Sequence, residues 1–148
     1  MSIPVTGDQA AVKIRQNVPD SVVTFDDTNV WIKCEKLLDV CSYLRNDAEL
    51  DMQFMNSISA VDYIEYFELV YHLRSLRNNT TLIIKTKCFG RENITVPSVT
   101  SVWRGAELQE REVWDLMGIS FSGHPNMRRI LTWEGFPGHP LQKTHLGG

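Results

Sequence analysis

Three carboxylates, Glu110, Glu112 and Asp115, crowd around Arg111, and Arg128-Arg129 with His124, His139 and His145 follow. Side chains of these types can exchange protons with a substrate, ligate zinc or grip an anion. Their spacing favours plainer roles. No nucleophile, Gly-rich phosphate loop or second catalytic group accompanies the carboxylates, so a free-standing acid–base enzyme built on Glu112, Asp115 and His124 is the weaker reading. The histidines are separated by 15 and 6 positions with no nearby cysteine, a pattern unlike usual zinc sites. His124 and His139 each sit in a Gly-His-Pro triplet, where a histidine commonly bonds backbone in a tight turn. The arginine fork suits carboxylates on the preceding helix or on a partner as well as it suits a free anion.

The element expected to position this group is a helix from Ala106 to Met117, ended by Gly118 as a left-handed C′ residue. Glu107, Arg111 and Asp115 recur every four residues, which predicts an acid–base–acid row on one face. Alone, such a row is a solvated face stabilised by about 0.2–0.5 kcal/mol per pair. The residues beyond the helix give it a larger role. The segment from Gly118 onward holds six of the nine glycines and three of the six prolines, a bias that excludes regular structure. It is nonetheless dense in apolar side chains: Ile119, Phe121, Met127, Ile130, Leu131, Trp133, Phe136, Leu141 and Leu146. Disordered tails lack such residues. An extended arm punctuated by Pro125, Pro137 and Pro140 suits docking on a neighbouring subunit.

The preceding chain reads as α+β. Asp8 to Asn17 is helix-compatible and stopped by Pro19. Val22–Phe25 and Val30–Ile32 form a hairpin around a four-residue loop. Glu35 to Arg45 is an amphipathic helix with Leu37, Val40, Cys41 and Leu44 on one stripe. Met52–Val61, Phe67–Leu73 and Thr81–Cys88 are strands, with Asp62 a turn residue between the first two. Pro97-Ser98 opens a short helical turn with Ser98 as its N-cap. The order α-β-β-α-β-β-β, then a C-terminal helix and an extended tail, predicts a two-layer domain with helices on one face of the sheet. We expect residues 1–118 to be that single domain and 119–148 to be a partner-binding tail.

Composition narrows the function. At 148 residues, 43% hydrophobic and 22% charged, the chain fits one ordinary globular domain. A net charge of −3 offers no basic field for nucleic acid. No apolar run is long enough to span a membrane, and Met1–Asp8 has no signal-peptide pattern, so membrane association is expected to be indirect. Cys34, Cys41 and Cys88 form no C-x-x-C pair, which argues for reduced, buried thiols rather than a disulfide framework or a metal centre.

The last helix and the tail resemble the signature of the 30-kDa subunit family of respiratory complex I, the proton-pumping NADH:quinone oxidoreductase (its C subunit). Glu110-Arg111-Glu112, Asp115, Leu116-Met117-Gly118-Ile119, Phe121, His124-Pro125, Arg128-Arg129-Ile130-Leu131 and Gly138-His139-Pro140-Leu141 match that pattern in order. Asp62, the Phe67–Leu73 strand and Pro97-Ser98-Val99 agree more loosely. Two positions depart: Gln142 stands where the family usually has arginine, and Thr144 where it has aspartate. The resemblance implies a peripheral-arm subunit that binds no cofactor itself and packs on the large quinone-site subunit of the 49-kDa type. FMN, iron–sulfur clusters and quinone would belong to the assembled complex, a translocase on the cytoplasmic, matrix or stromal side of an energy-transducing membrane. It implies Glu110, Arg111, Glu112, Asp115, Gly118, Phe121, His124, Pro125, Arg128, Arg129, His139 and Pro140 as signature, partner-binding positions. The alternative within the superfamily is the equivalent subunit of a membrane-bound hydrogenase or of a ferredoxin- or coenzyme F420-linked complex.

Overall fold

A computed structural model describes residues 2–129 and 138–143. After the short strand β1 (Ile3–Pro4) comes helix α1 (Gly7–Asn17), whose first turn is capped by the Thr6 hydroxyl accepting from the Gln9 N–H at 3.3 Å. Strands β2 (Val22–Phe25) and β3 (Asn29–Ile32) make the expected hairpin. Asp26 closes its loop by accepting from the Thr28 and Asn29 N–H groups at 3.0 and 2.8 Å. A 3-10 turn, Cys34–Lys36, leads into α2 (Leu37–Asn46). The stripe read from the sequence is the one buried: Leu37, Val40, Cys41 and Leu44 are all 0% exposed.

Strands β4 (Phe54–Asp62), β5 (Tyr66–Ser75) and β6 (Thr80–Phe89) form an antiparallel meander, and β6 pairs in parallel with β3 and β1. The main sheet therefore runs β2-β3-β6-β5-β4, with β4 at one edge. Phe67, Leu69, Tyr71 and Leu73 supply one face of β5 and join the stripes of α1 and α2 in a single apolar core. The other face of β5 is also covered in part, because Glu68 and Val70 are buried. This is the two-layer α+β arrangement expected.

The C-terminal third differs in detail. Pro97 does not open a helical turn but closes β7 (Thr95–Pro97), which pairs in parallel with β8 (Ser120–Ser122). The turn begins one residue later, where the Ser98 hydroxyl accepts from the Thr100 N–H at 3.2 Å. Helix α3 (Ala106–Met117) lies between these two strands in sequence and packs on the β4 edge. The domain also does not stop at Gly118. Ile119 and Phe121 are 0% and 4% exposed, because the left-handed turn at Gly118 (φ 81°) returns the chain onto β7. Both strands are too short for a period to be legible in the sequence.

Gly7 marks the tightest backbone approach: a Cβ there would lie 1.9 Å from the Asp26 carbonyl oxygen. Gly7→Ala should therefore lower stability by at least about 2 kcal/mol, read as a reduced urea midpoint with an unchanged m-value.

Candidate functional site

A helix cannot satisfy its own last four carbonyls, and the end of α3 is where the signature residues gather. The Trp114 carbonyl accepts from the Gly118 N–H at 2.8 Å. The Asp115 carbonyl accepts from Arg129 Nη1 and from His139 Nδ1, each at 2.9 Å. The Leu116 carbonyl accepts from the Leu141 N–H at 2.9 Å, and that of Met117 from Gln142 Nε2 at 2.6 Å. Residues 129 and 139–142 thus act as a cap built from distant sequence. Gly118 is required twice, for its positive φ and because a Cβ would meet His139 Cδ2 at 2.8 Å.

Beneath the cap lies a buried charge. Asp115 is 0% exposed and pairs with Arg129 at 2.8 Å. The same guanidinium stacks over the Trp114 ring at 5.1 Å, and the His139 ring meets that indole edge-on at 5.8 Å. A cation at this position also complements the negative end of the helix dipole.

The expected Glu107–Arg111–Asp115 row does not form. Among the described residues Arg111 makes no ion pair; it donates to the carbonyls of Arg128 and Arg129 at 3.2 and 3.0 Å. Asp115 faces inward to Arg129, and Glu107 contributes its main-chain carbonyl to His124 Nε2 at 2.9 Å. A row stabilised by a few tenths of a kcal/mol loses to a buried pair. The Asn126 N–H donates to His124 Nδ1 at 2.8 Å, so that nitrogen is the acceptor and Nε2 carries the proton.

Glu110, at 0% exposed, is no part of a solvated face. It accepts from the Ser98 hydroxyl at 2.6 Å and the Val99 N–H at 2.8 Å, which ties α3 to the turn after β7. Burial raises its carboxyl above the ordinary value, against the lowering effect of those two hydrogen bonds. The remaining positions divide simply. Phe121 is core, Pro140 and Arg129 are half-buried, and Glu112, Pro125 and Arg128 are exposed. Ile130, Leu131, Trp133, Phe136, Pro137, His145 and Leu146 lie outside the described residues.

Asp62 is more than the turn residue the sequence suggests. It is 3% exposed and forms a two-pronged pair with Arg91, Nη2 to Oδ2 at 2.8 Å. It also accepts from the Ile64 N–H at 2.7 Å and, from the far end of the chain, the Lys143 N–H at 2.8 Å. The hydrogen-bonded Arg91 beside it holds its carboxyl well below the usual range despite burial. Arg91 also donates to the Ile64 carbonyl at 3.1 Å, so Ile64 is pinned from both sides at φ 73°. A β-branched residue strained in this way is uncommon, and its side chain is 56% exposed. Nothing in the sequence marks Gln109 either. Its amide oxygen accepts from the Ile58 N–H at 2.6 Å and its Nε2 donates to the Asn56 carbonyl at 3.3 Å, fastening α3 to the open edge of β4.

The donor set does not fit a resident cluster. Three cysteines are fewer than the four thiolates usual for an iron–sulfur centre. Among the described residues no three His, Cys, Asp or Glu side chains converge as a metal site, and no helix is long and apolar enough to cross a membrane.

Fold and site together define a small α+β module whose polar signature fastens its own C-terminal segment. The chain belongs to the family described as respiratory-chain NADH dehydrogenase, 30 Kd subunit, which residues 30–147 match. The C subunit of NADH-quinone oxidoreductase from Roseiflexus sp. (strain RS-1) is 39% identical over 138 residues, spanning 88% of this chain and 79% of that protein. Its counterpart in Roseiflexus castenholzii is 42% identical over 120 residues, 79% of this chain and 68% of that one. The C subunit numbered 2 in Rhizobium meliloti is 44% identical over 112 residues, 74% and 60% respectively. A solved chain of the membrane-bound sulfane sulfur reductase, an archaeal respiratory membrane complex, superposes with a TM-score of 0.65 at 26% identity, covering 85% of this chain and 75% of that chain.

Gly118→Ala should cost about 1–2 kcal/mol from the left-handed backbone and expose the cap, read as faster hydrogen exchange at the Leu141 amide. Asp62 has a depressed folded pKa, so its contribution is present above the unfolded value near 4 and lost as pH falls below it. Asp62→Asn should lower stability at neutral pH by about 2–4 kcal/mol and flatten the acid limb of a urea-midpoint profile.

Proposed function

We propose that this chain is a non-catalytic structural subunit of the peripheral arm of a proton-translocating NADH:quinone oxidoreductase. It supports the large quinone-site subunit of the 49-kDa type, while FMN, iron–sulfur clusters and quinone reside on other subunits. The complex sits on the cytoplasmic, matrix or stromal side of its membrane, and this chain joins that membrane through its partners. The observation that supports this reading is how the signature polar groups are used. Glu110, Arg111, Asp115, His124, Arg129 and His139 all bond their own chain, an arrangement suited to presenting a surface rather than to turning over a substrate.

The surface with the strongest claim is the tip of the β4–β5 hairpin. Tyr63 and Ile64 are 46% and 56% exposed there, and Phe89, paired with Tyr66 at the end of β6, is 71% exposed beside them; Lys143 is tied to the same tip through Asp62. Apolar side chains grouped on a polar rim are a usual mark of a protein interface. The remainder of the tail, residues 130–137 and 144–148, is proposed to complete that contact. The likeness to the sulfane sulfur reductase favours one second reading, the equivalent subunit of a respiratory complex with another donor or acceptor.

Ile64→Asn tests the proposal without harming the fold, because asparagine tolerates a positive φ. The isolated variant should be at least as stable as the wild type. Introduced together with Phe89→Ser, it should reduce recovery of the chain with its complex by tenfold or more in quantitative mass spectrometry of the native assembly. Wild-type recovery of the double variant, or a wild-type chain that purifies alone, would overturn the reading.

A further inference from the structure

Strands β3 and β6 pair in parallel at a constant offset, Asn29 with Ile83, Val30 with Ile84 and Trp31 with Lys85. The offset persists past the ladder, where the Thr86 hydroxyl donates to the Ile32 carbonyl at 2.9 Å. Continued two residues beyond that bond, the same offset brings Cys34, the first residue of the 3-10 turn, alongside Cys88. As far as Trp31 and Lys85 the ladder holds the two chains about 4.8 Å apart, and a disulfide requires roughly 4.4–6.8 Å between Cα atoms. Both cysteines line a cleft of about 660 Å³ together with Trp31, Phe89 and Ile94.

The two sulfurs are not equivalent. Cys34 is half-buried, whereas Cys88 is 6% exposed. The neighbouring Cys88 S–H holds the Cys34 thiol below its ordinary value, against burial and the Glu35 charge. The same contact, together with burial, raises Cys88. The Cys34 sulfur is therefore the easier of the two to ionise and is reachable from the cleft, while its neighbour is held toward the protonated form. Cys41, fully buried in the core with its thiol raised by desolvation, belongs to a different environment.

We propose that Cys34 and Cys88 form a modification site, a thiol pair that a peroxide-class oxidant joins as a disulfide and a dithiol reductant reopens. The Cys34 thiolate attacks one peroxide oxygen and the O–O bond breaks. Hydroxide leaves and takes up the proton that Cys34 had released, giving water and a sulfenic acid. The Cys88 sulfur then attacks the Cys34 sulfur, the S–O bond breaks, and the departing hydroxyl leaves as water with the Cys88 proton. Two thiols lose two protons and two electrons, and the peroxide is reduced to two waters. The bond staples the turn leading into α2 to the end of β6, at the mouth of the cleft.

The test is oxidation of the reduced full chain with hydrogen peroxide, followed by intact mass and peptide mapping. The expected result is loss of two hydrogen atoms per chain, one peptide linking positions 34 and 88, full alkylation of Cys41, and reversal by dithiothreitol. Cys88→Ser should keep its circular dichroism spectrum, form no internal link, and hold a sulfenic acid at Cys34 that dimedone traps. An unchanged wild-type mass, links between chains, or a link through Cys41 would overturn the proposal. Cys34→Ser should resist peroxide; oxidation of Cys88 in that variant at the wild-type rate would overturn the assignment of Cys34 as the attacking sulfur.

Discussion

The end of α3 presents four carbonyls and one buried carboxylate that the helix cannot satisfy alone, and the C-terminal third is organised around supplying their donors. Arg129 serves twice, as partner to the Asp115 carboxylate and as donor to its carbonyl. It reaches that position because β8 returns the chain onto β7. Strand β7 in turn is followed by Ser98 and Val99, which Glu110 of the same helix holds by two hydrogen bonds. The connections close a ring: helix to turn, turn to strand, strand to strand, and strand back to helix. Losing one partner of a buried pair costs about 3–5 kcal/mol, and a buried group left without its hydrogen bond about 1–3 kcal/mol. Such a ring therefore resists piecemeal change far more than its surface appearance suggests.

That ring explains what can and cannot be read from the sequence. Helix α2 is legible because Leu37, Val40, Cys41 and Leu44 repeat at the helical period and are all buried. The meander β4–β5–β6 is legible for the same reason at period two, with ends shifted by one or two residues. Period also misleads. Glu107, Arg111 and Asp115 lie four apart, yet Asp115 turns inward to Arg129 and Arg111 donates to the Arg128 and Arg129 carbonyls, because burial outweighs a surface pair. The roles of Asp62, Gln109 and Glu110 are hidden because their partners, Lys143, Ile58 and Val99, stand far away in sequence. No local pattern records a side chain that captures a remote backbone group. The domain edge is misplaced for a similar reason: Gly118 does end a helix, but Ile119 and Phe121 go straight into the core.

Most of the described polar side chains of the signature bond within this chain. His124 fixes its own turn through Asn126 and joins it to α3 through Glu107. His139 and Gln142 close the helix end. The Gln142 amide supplies a donor to the Met117 carbonyl without bringing a charge to the helix end. Glu112, by contrast, has an exposed side chain in the middle of the motif and no place in the ring.

A single carboxylate joins the hairpin tip to the far end of the chain. Asp62 accepts from Ile64 at the tip and from Lys143 in the C-terminal segment, while Arg91 clamps both Asp62 and the Ile64 carbonyl. The strained φ of Ile64 is maintained by the same group that anchors residue 143. Residues 139–142 are simultaneously attached to the end of α3. Hairpin tip, C-terminal segment and helix end are therefore parts of one hydrogen-bonded unit. A partner that gripped the exposed Ile64 and Phe89 would meet a surface already ordered by the fold. It would avoid much of the entropy cost that a free apolar arm must meet on docking.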